Sequence, residues 1–494
     1  MEILLVTLNA RFSHASLGLR YLHANLGALQ TRAEIMEFVI GATSGDGSGR
    51  SVEAMLEKIL AKAPLIVGFG VYIWNIDETT RLVALLKRVS PKVKIILGGP
   101  EVSFPQDYPA IVHDADYVVT GQADHSFREL CEKLLTGSIA GLPLSKTVIS
   151  PTPNIQTLTA PYALFSQNDL AHRNIYFEAS RGCPFKCEFC LSALDKTAWP
   201  FELRSVLHEL QTLYDRGLRR FKFVDRTFNL KIATSTAILE FFLSKLSSSS
   251  TQTPELFVHF ELVPDHLPDA LKNTIAQFPQ GVLQFEIGIQ TWNPDVQHLI
   301  SRKQDNDKAA NNISWLVQQT HAHLHVDLIA GLPGETLTSF GQGFDKLYAL
   351  GPHEIQVGIL KRLRGAPIDR HTNAYQLVYN PKAPYNVLCT SLISFQQMQQ
   401  ISRFSRYWDM FANSGRFSEQ MTALLGDKPF DNMMRFADWL YAHTDATHQL
   451  ALPRQAALLQ KYQLGGNYHP SDGTVQAPPG KLKSLRQARH AASL

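Results

Sequence analysis

The sequence predicts an α/β protein in three parts: an N-terminal doubly wound, Rossmann-like domain, a central partial (β/α)6 TIM barrel and a C-terminal α-helical domain. Three observations carry this. Short β-type apolar runs alternate with helix-like stretches, first from Met1 to about residue 140 and again from about 171 to 375. A Pro/Thr-rich stretch without periodicity, 151–161, lies between the two alternations. Beyond about residue 376 the strand pattern gives way to helical runs rich in aromatic residues. The expected boundaries are therefore 1–140, a linker over 141–170, a barrel over 171–375 and a helical domain over 376–494.

The 494 residues suffice for two or three separately buried cores, and 45% apolar with 18% charged residues reads as globular throughout. A formal charge of +3 gives no general electrostatic reason to invoke nucleic acid, and the basic residues Lys481, Lys483, Arg486 and Arg489 read as a solvated helix or loose end. The first residues lack a basic region with a cleavage site, and no apolar run reaches the ~20 residues of a membrane span. A soluble cytoplasmic protein without a membrane partner is expected. Five cysteines in so long a chain do not make a disulfide framework.

In the N-terminal third, strand-like runs 3–8, 65–69 and 93–97 alternate with helix-like stretches 17–28 and 78–89. The strands end in four loops. These are Asn9-Ala10-Arg11 through His14, Gly68 through Gly70-Val71-Tyr72 to Trp74, Gly98-Gly99-Pro100-Glu101, and Gly121-Gln122-Ala123-Asp124. Ligands of doubly wound sheets sit beyond the carboxyl ends of the strands, so the four loops outline one site. No Gly-x-Gly-x-x-Gly follows the first strand and no Walker-type Gly-Lys-Ser/Thr occurs, which argues against a dinucleotide or nucleoside triphosphate.

In the central part, β-type runs 175–179, 220–224, 256–261, 283–290, 325–331 and 354–360 give six βα units, with Ser247 to Pro254 as a surface loop. Catalytic groups of such barrels belong at the strand C-termini. Asp225 and Glu261 close their strands and Glu286 and Gln290 lie on the fourth, and carboxylates in apolar strands need a cation or hydroxyl as partner. One available partnering is Glu286 with Arg302. C-terminally, Phe404, Tyr407, Trp408, Phe411, Phe436 and Trp439 recur at helical spacing, the mark of a core; helices are expected over 388–398, 399–411, 417–425, 430–443 and 455–462.

The most specific stretch is Cys183-x3-Cys187-x2-Cys190. A closed structural zinc site takes four protein ligands, whereas a [4Fe-4S] cluster held by three cysteines leaves one iron open. Cys131 and Cys389 stand far off in sequence; either folding back would instead complete a zinc knuckle. Gly182 and Pro184 suit a loop that wraps closely round a bulky group.

This spacing, with the apolar run 174–178 before it and Phe189 before the last cysteine, resembles the cluster motif of the radical S-adenosylmethionine (SAM) superfamily. The resemblance implies a [4Fe-4S] cluster on Cys183, Cys187 and Cys190, SAM chelated at its open iron, and Phe189 near the adenine. It makes Glu261, Glu286 and Gln290 candidates for the ribose and aminoacyl groups, with Asp225, Arg302 and Asp327 as further cofactor-site residues.

The N-terminal third resembles the cobalamin-binding domain found ahead of the barrel in one subgroup. The likeness is carried by the Leu-Asn-Ala-Arg, Gly-Phe-Gly-Val-Tyr-Ile-Trp and Leu-Gly-Gly-Pro-Glu loops. It implies that Asn9, Ala10, Arg11, Gly70, Val71, Tyr72, Gly98, Gly99, Pro100, Glu101 and Gly121 face cobalamin. No Asp-x-His-x-x-Gly string occurs, so base-off cobalamin without a histidine on cobalt is expected, His14 being the one nearby imidazole. Where the subgroup commonly has Gly-Glu-Gly-Glu this chain has Gly121-Gln122-Ala123-Asp124, and the alternative is a domain that only caps the barrel.

The helical end resembles a domain of unknown function seen in one branch. The whole layout implies a cobalamin-dependent radical SAM enzyme that cleaves SAM to a 5′-deoxyadenosyl radical, with C-methyl transfer as the leading reaction. The alternatives are a radical cyclase of the anaerobic tetrapyrrole type or a rearrangement enzyme, a radical SAM enzyme without cobalamin, and a non-catalytic cluster or cobalamin sensor. A small-molecule or peptide substrate and a low-potential electron donor such as flavodoxin or ferredoxin are the implied partners.

Overall fold

β1 (Ile3–Asn9) is buried along its whole length, the mark of a central strand covered on both faces. Its side chains alternate: Leu4, Val6 and Leu8 enter one apolar cluster and Ile3 and Leu5 the other. In the computed structural model, which describes residues 1–41, 51–137, 145–195, 197–247 and 255–465, β1 sits inside an all-parallel sheet. With β2 (Ala33–Val39), β3 (Ile66–Gly70), β4 (Lys94–Gly98), β5 (Tyr117–Thr120) and β6 (Thr147–Ile149) the order is β2-β1-β3-β4-β5-β6. The strand order reverses between β1 and β3, where such sheets open a crevice. Strand β6 falls inside the stretch expected as linker, so the first sheet runs to about residue 149 rather than 140. A helix, Gln167–His172, also lies in that stretch, started by a capping box between Ser166 and Asp169.

A second parallel sheet follows. It comprises β7 (Ile175–Phe177), then, beyond a small antiparallel pair β8 (Ser180–Arg181) and β9 (Trp199–Pro200), the strands β10 (Arg220–Phe223), β11 (Phe257–Leu262), β12 (Leu283–Gln290), β13 (His323–Ala330) and β14 (Glu354–Ile359). Its order, β14-β13-β12-β11-β10-β7, is that of an open six-stranded barrel with helices between the strands. All six strand runs fall where the sequence places them. The Ser-rich surface loop beyond Ser247 and the basic tail at 481–489 lie outside the described residues.

The C-terminal region departs from expectation twice. An antiparallel pair, β15 (Val378–Tyr379) and β16 (Val387–Cys389), occupies the start of the domain expected to be helical from residue 376, and β16 takes the first residues of the helix expected over 388–398. The first helix runs Phe395–Phe411, because Ser394 and Gln397 form a capping box that fixes its start. Helices Ser418–Leu425, Pro429–Thr444 and Leu452–Gln463 follow. Nor is this region a separate unit: Phe344 of the barrel meets Phe404 and Trp408 edge-on at 5.0 and 4.8 Å, and both regions share one apolar core. The first helix also covers the free edge of β14. Ser405 donates to the Val357 carbonyl at 2.6 Å, and Asn413 pairs with both the N–H and C=O of Ile355. No helix among the described residues is long and apolar enough to cross a membrane.

Candidate functional site

The cysteine loop leaves the end of β7 and is held from two sides. Asp225, at the end of β10, is buried and accepts from the Ala179 N–H at 3.0 Å and the Ser180 hydroxyl at 2.5 Å. Burial pushes its carboxyl up to about 7, against those hydrogen bonds. The chain then turns at Gly182, whose φ of +85° and close approach to the Thr197 carbonyl leave no room for a side chain. Inside the loop, Glu188 is 4% exposed and takes hydrogen bonds from Ser301 at 2.6 Å, Arg370 at 2.5 and 2.8 Å, and His371 at 2.9 Å.

Cys183, Cys187 and Cys190 line one cavity of about 210 Å³. Burial raises the Cys183 and Cys187 thiol pKa values, opposed by the cations Arg226 and Arg302; the Arg302 guanidinium lies 3.5 Å from the Cys187 sulfur. Neither remaining cysteine joins them: Cys131 is buried in the core of the first sheet and Cys389 lies in β16. Among the described residues no three His, Cys, Asp or Glu side chains close round a single ion, and the thiols are instead spread along this cavity wall. Three soft thiol donors without a fourth suit an iron–sulfur cluster with one open iron.

The same cavity gathers Phe189, Glu261, Glu286, Gln290, Arg302 and Asp327. Glu261 is raised by burial, opposed by Arg226, which pairs with it at 2.7 Å. Glu286 does not pair with Arg302. Burial pushes its carboxyl up, but His259 at 3.1 Å outweighs this and holds it below the ordinary range, while Arg302 turns to the Gly288 carbonyl and Gln304. Asp327 is raised by burial and opposed by His325, 3.3 Å away. A bulge between Gly288 and Gln290 places Gln290 at φ +70°, a strained conformation for a residue with a side chain, and turns its amide into the site. Asp225, expected among the cofactor residues, does not line this cavity; it is spent on the loop. Its neighbour Arg226, which sequence reasoning passed over, does, and the only signal for it was its place in the loop three residues beyond the end of β10.

Arg226 also lines a second cavity, of about 440 Å³, between the carboxyl edge of the first sheet and the barrel. Gly70, Tyr72, Gly98 and Gly99 from the predicted loops line it, together with Gly18, Tyr21, Phe127, Gln122, Asp124 and, from the barrel side, Arg181. Gly99, at φ +105°, lets β4 turn so close to Val71 that an added Cβ would sit 2.5 Å from the Val71 oxygen. Several predicted residues lie elsewhere. Asn9 is buried, donating to Glu37 at 3.0 Å; Ala10 is exposed; Val71 packs in the core; Glu101 is buried against Tyr385 at 2.9 Å and Arg364 at 3.2 Å. Pro100 opens the short turn that carries Glu101, and Gly121 at φ +75° shapes the next loop without lining the cavity. Arg11 lines a third cavity. For Asn9, Ala10 and Arg11 the cause is shared: the first loop folds back on Glu37, so helix Leu17–Ala24 rather than these residues faces the crevice. His14 hydrogen-bonds Tyr176 and is not on the cavity wall.

The loop that departs from the expected acidic pattern has a definite role. Gln122 at 3.3 Å and Asp124 at 2.9 Å both accept from Arg181, which also pairs with Glu178 at 2.9 Å and lies 4.5 Å over the Tyr21 ring.

Residues 3–131 match the B12 binding domain family, residues 177–347 the Radical SAM superfamily, and residues 373–463 a family of proteins of unknown function, DUF4080. The chain is 25% identical over 339 residues to the 2-(S-pantetheinyl)-carbapenam-3-carboxylate methyltransferase of Streptantibioticus cattleyicolor, covering 62% of this chain and 48% of that protein. It thus spans about half the length of the curated relatives it matches. Its fold is that of the cobalamin-dependent S-adenosylmethionine radical enzyme OxsB, with a TM-score of 0.61 at 11% identity over 94% of this chain and 75% of that one. The radical S-adenosylmethionine methyltransferase TsrM from Kitasatospora setae gives 0.58 at 16% identity, over 80% and 81% of the two chains.

Proposed function

We propose that this chain, a radical SAM superfamily protein carrying a B12 binding domain ahead of its barrel, is a cobalamin-dependent radical SAM enzyme whose reaction is methyl transfer to a substrate carbon. The observation that carries the reading is the junction of the two cavities. One holds three thiols and a set of partnered carboxylates, the other is a glycine-walled crevice at the sheet's switch point, and Arg226 lines both.

The residues fit the implied groups. Cys183, Cys187 and Cys190 would hold the cluster. Glu261, Glu286, Gln290 and Asp327 offer acceptors for an ammonium group and a ribose diol, and Phe189 an apolar face for a base. Gly70, Tyr72, Gly98 and Gly99 would admit cobalamin at the crevice, whose wall Gln122 and Asp124 also line while they hold Arg181. Bound there, the cluster with SAM supplies one-electron cleavage of a sulfonium and hydrogen abstraction, and cobalamin supplies a transferable methyl group.

The chain's own work is positioning and exclusion of water. Asp225 fixes the start of the cysteine loop and Glu188 its interior, and the thiols line the cavity between them. Arg226 is held by Glu261 and keeps a cation on the wall that also carries the three thiols. Arg302, braced by Gln304 and the Gly288 carbonyl, does the same beside Cys187. A low-potential flavodoxin or ferredoxin is the proposed electron source.

The test is anaerobic reconstitution with iron, sulfide and cobalamin, then reduction with SAM present. Formation of 5′-deoxyadenosine, abolished in the Cys183→Ala/Cys187→Ala/Cys190→Ala variant, is the expected result. Cleavage that survives the triple substitution overturns the cluster assignment, and protein that carries a cluster but retains no cobalamin overturns the role of the first domain.

A further inference from the structure

A third cavity, of about 650 Å³, lies along β14 on the side where the barrel stays open. One wall is the strand itself, the other is helix Phe395–Phe411 through Ser402, Ser405 and Arg406. It adjoins the cysteine site: Phe189 lines both cavities, and His325 on this wall contacts Asp327 on the other at 3.3 Å. Neither the cluster loop's thiols nor the glycine crevice uses this space.

Its charge is one-sided. Arg11 comes from the loop after β1, Lys361 from just beyond β14, and Arg406 from the helix, so three cations from three parts of the chain converge on one cavity. None of the three forms an ion pair with a carboxylate among the described residues. This contrasts with Arg362 and Arg364 beside Lys361, which pair with Asp107, Asp369 and Glu101. Asp409 is the carboxylate on the wall, and it has a partner of its own. His325 is engaged by Asp327, Glu354 and Gln356. Loss of hydration and then the Arg406 charge lower the Lys361 ammonium pKa, which fits the two cations lining one cavity.

We propose that this cavity binds the anionic group, a carboxylate or a phosphate, of the substrate, on Lys361 and Arg406 with Arg11 closing over it, so that the remainder of the substrate reaches past Phe189 to the reacting centre. The proposal rests on the enzymatic reading above and deepens it by naming a substrate class. It also assigns work to the C-terminal region, whose first helix supplies Arg406 and at the same time seals the β14 edge. Arginine and lysine together suit either anion: the guanidinium offers a planar fork and the ammonium a compact charge.

The test is calorimetric titration of the full chain, without cluster or SAM, with inorganic phosphate and separately with succinate, ionic strength held constant with potassium chloride. Wild-type protein should bind one probe above the chloride background, and which one tells phosphate from carboxylate. Lys361→Gln and Arg406→Gln should each weaken that binding about tenfold, as expected for one charge-assisted contact, and the double variant should abolish it. Lys361→Arg should retain it, and Lys92→Gln on the remote surface should leave it unchanged. The site is overturned if neither probe binds, or if the double variant binds as the wild type does. Because the readout needs neither cluster nor SAM, a chain that binds the anion but forms no 5′-deoxyadenosine refutes the enzymatic reading alone, and the reverse refutes only the anion site.

Discussion

Arg181 meets Asp124 at 2.9 Å, joining the loop after β5 of the first sheet to the residue two before Cys183. The pair is largely buried, with side chains 13% and 6% exposed, and Glu178 at 2.9 Å makes it a triad. A substitution in the first sheet therefore reaches the cysteine loop through one guanidinium.

Arg181→Met should be the most damaging change in this triad. It leaves Glu178 and Asp124 facing each other, both screened from water, and stranding a buried charge costs about 3 kcal/mol or more. Asp124→Asn should cost much less, because Arg181 keeps Glu178. Urea denaturation followed by circular dichroism gives both numbers, and an Arg181→Met protein within about 0.5 kcal/mol of wild type would contradict the latch.

Glu188 stands between Cys187 and Phe189, and all its donors come from elsewhere in the chain. Glu188→Ala leaves the buried His371 and the Ser301 hydroxyl without their acceptor, at about 2 kcal/mol, and releases the loop. Arg370, 62% exposed, is the weaker partner, and Arg370→Ala should cost under about 1 kcal/mol. The distinguishing measurement is iron and acid-labile sulfide per chain after reconstitution: it should fall in Glu188→Ala and hold in Arg370→Ala. Equal loading in both would reduce Glu188 to a residue of stability alone.

Asp225 predicts a pH dependence. Its folded carboxyl is raised by burial to about 7, so between the unfolded value of about 3.8 and 7 the folded chain holds a proton that the unfolded chain releases. Its contribution is fully present below the lower value and declines as pH rises through 7, by a few kcal/mol at most. Asp225→Asn, neutral at every pH, should flatten that part of the profile in urea titrations run from pH 4 to 8. A variant profile parallel to wild type would place the titration elsewhere.

Much of this was legible from side-chain pattern. Parallel strands buried on both faces give continuous apolar runs, so all six barrel strands could be read, and the polar residues that interrupt those runs, Glu261, Glu286, Gln290 and Asp327, line one cavity with the thiols. What the pattern hid was anything decided by a partner distant in sequence. Asp225 looks like a ligand-facing carboxylate until Ala179 and Ser180 are seen to occupy it, and Arg302 looks like a partner for Glu286 until His259 takes that place. Asn9 to Arg11 were misplaced because a loop's direction depends on Glu37, on the neighbouring strand. Strand β6 is three residues long, too short to show an alternation.

The last prediction concerns the helical region that sequence separates and packing does not. Phe344 lies on a barrel helix, and its ring is enclosed by Phe404, Trp408 and Phe430 from the C-terminal helices. Trp408→Ala removes a large side chain that is 4% exposed and should cost about 4 kcal/mol. If the region were an appendage, the loss would lower a separate transition and leave the barrel's own unfolding unchanged. With one core it should lower a single cooperative transition for the whole barrel, seen alike by near-ultraviolet circular dichroism and by tryptophan fluorescence. Removing everything after residue 375 should be more severe, since it bares those apolar faces and frees the β14 backbone that Ser405 and Asn413 cover, leaving an unpaired edge open to association with other chains. A truncated chain that stays monomeric and unfolds cooperatively would show that the barrel is complete without its helical cover.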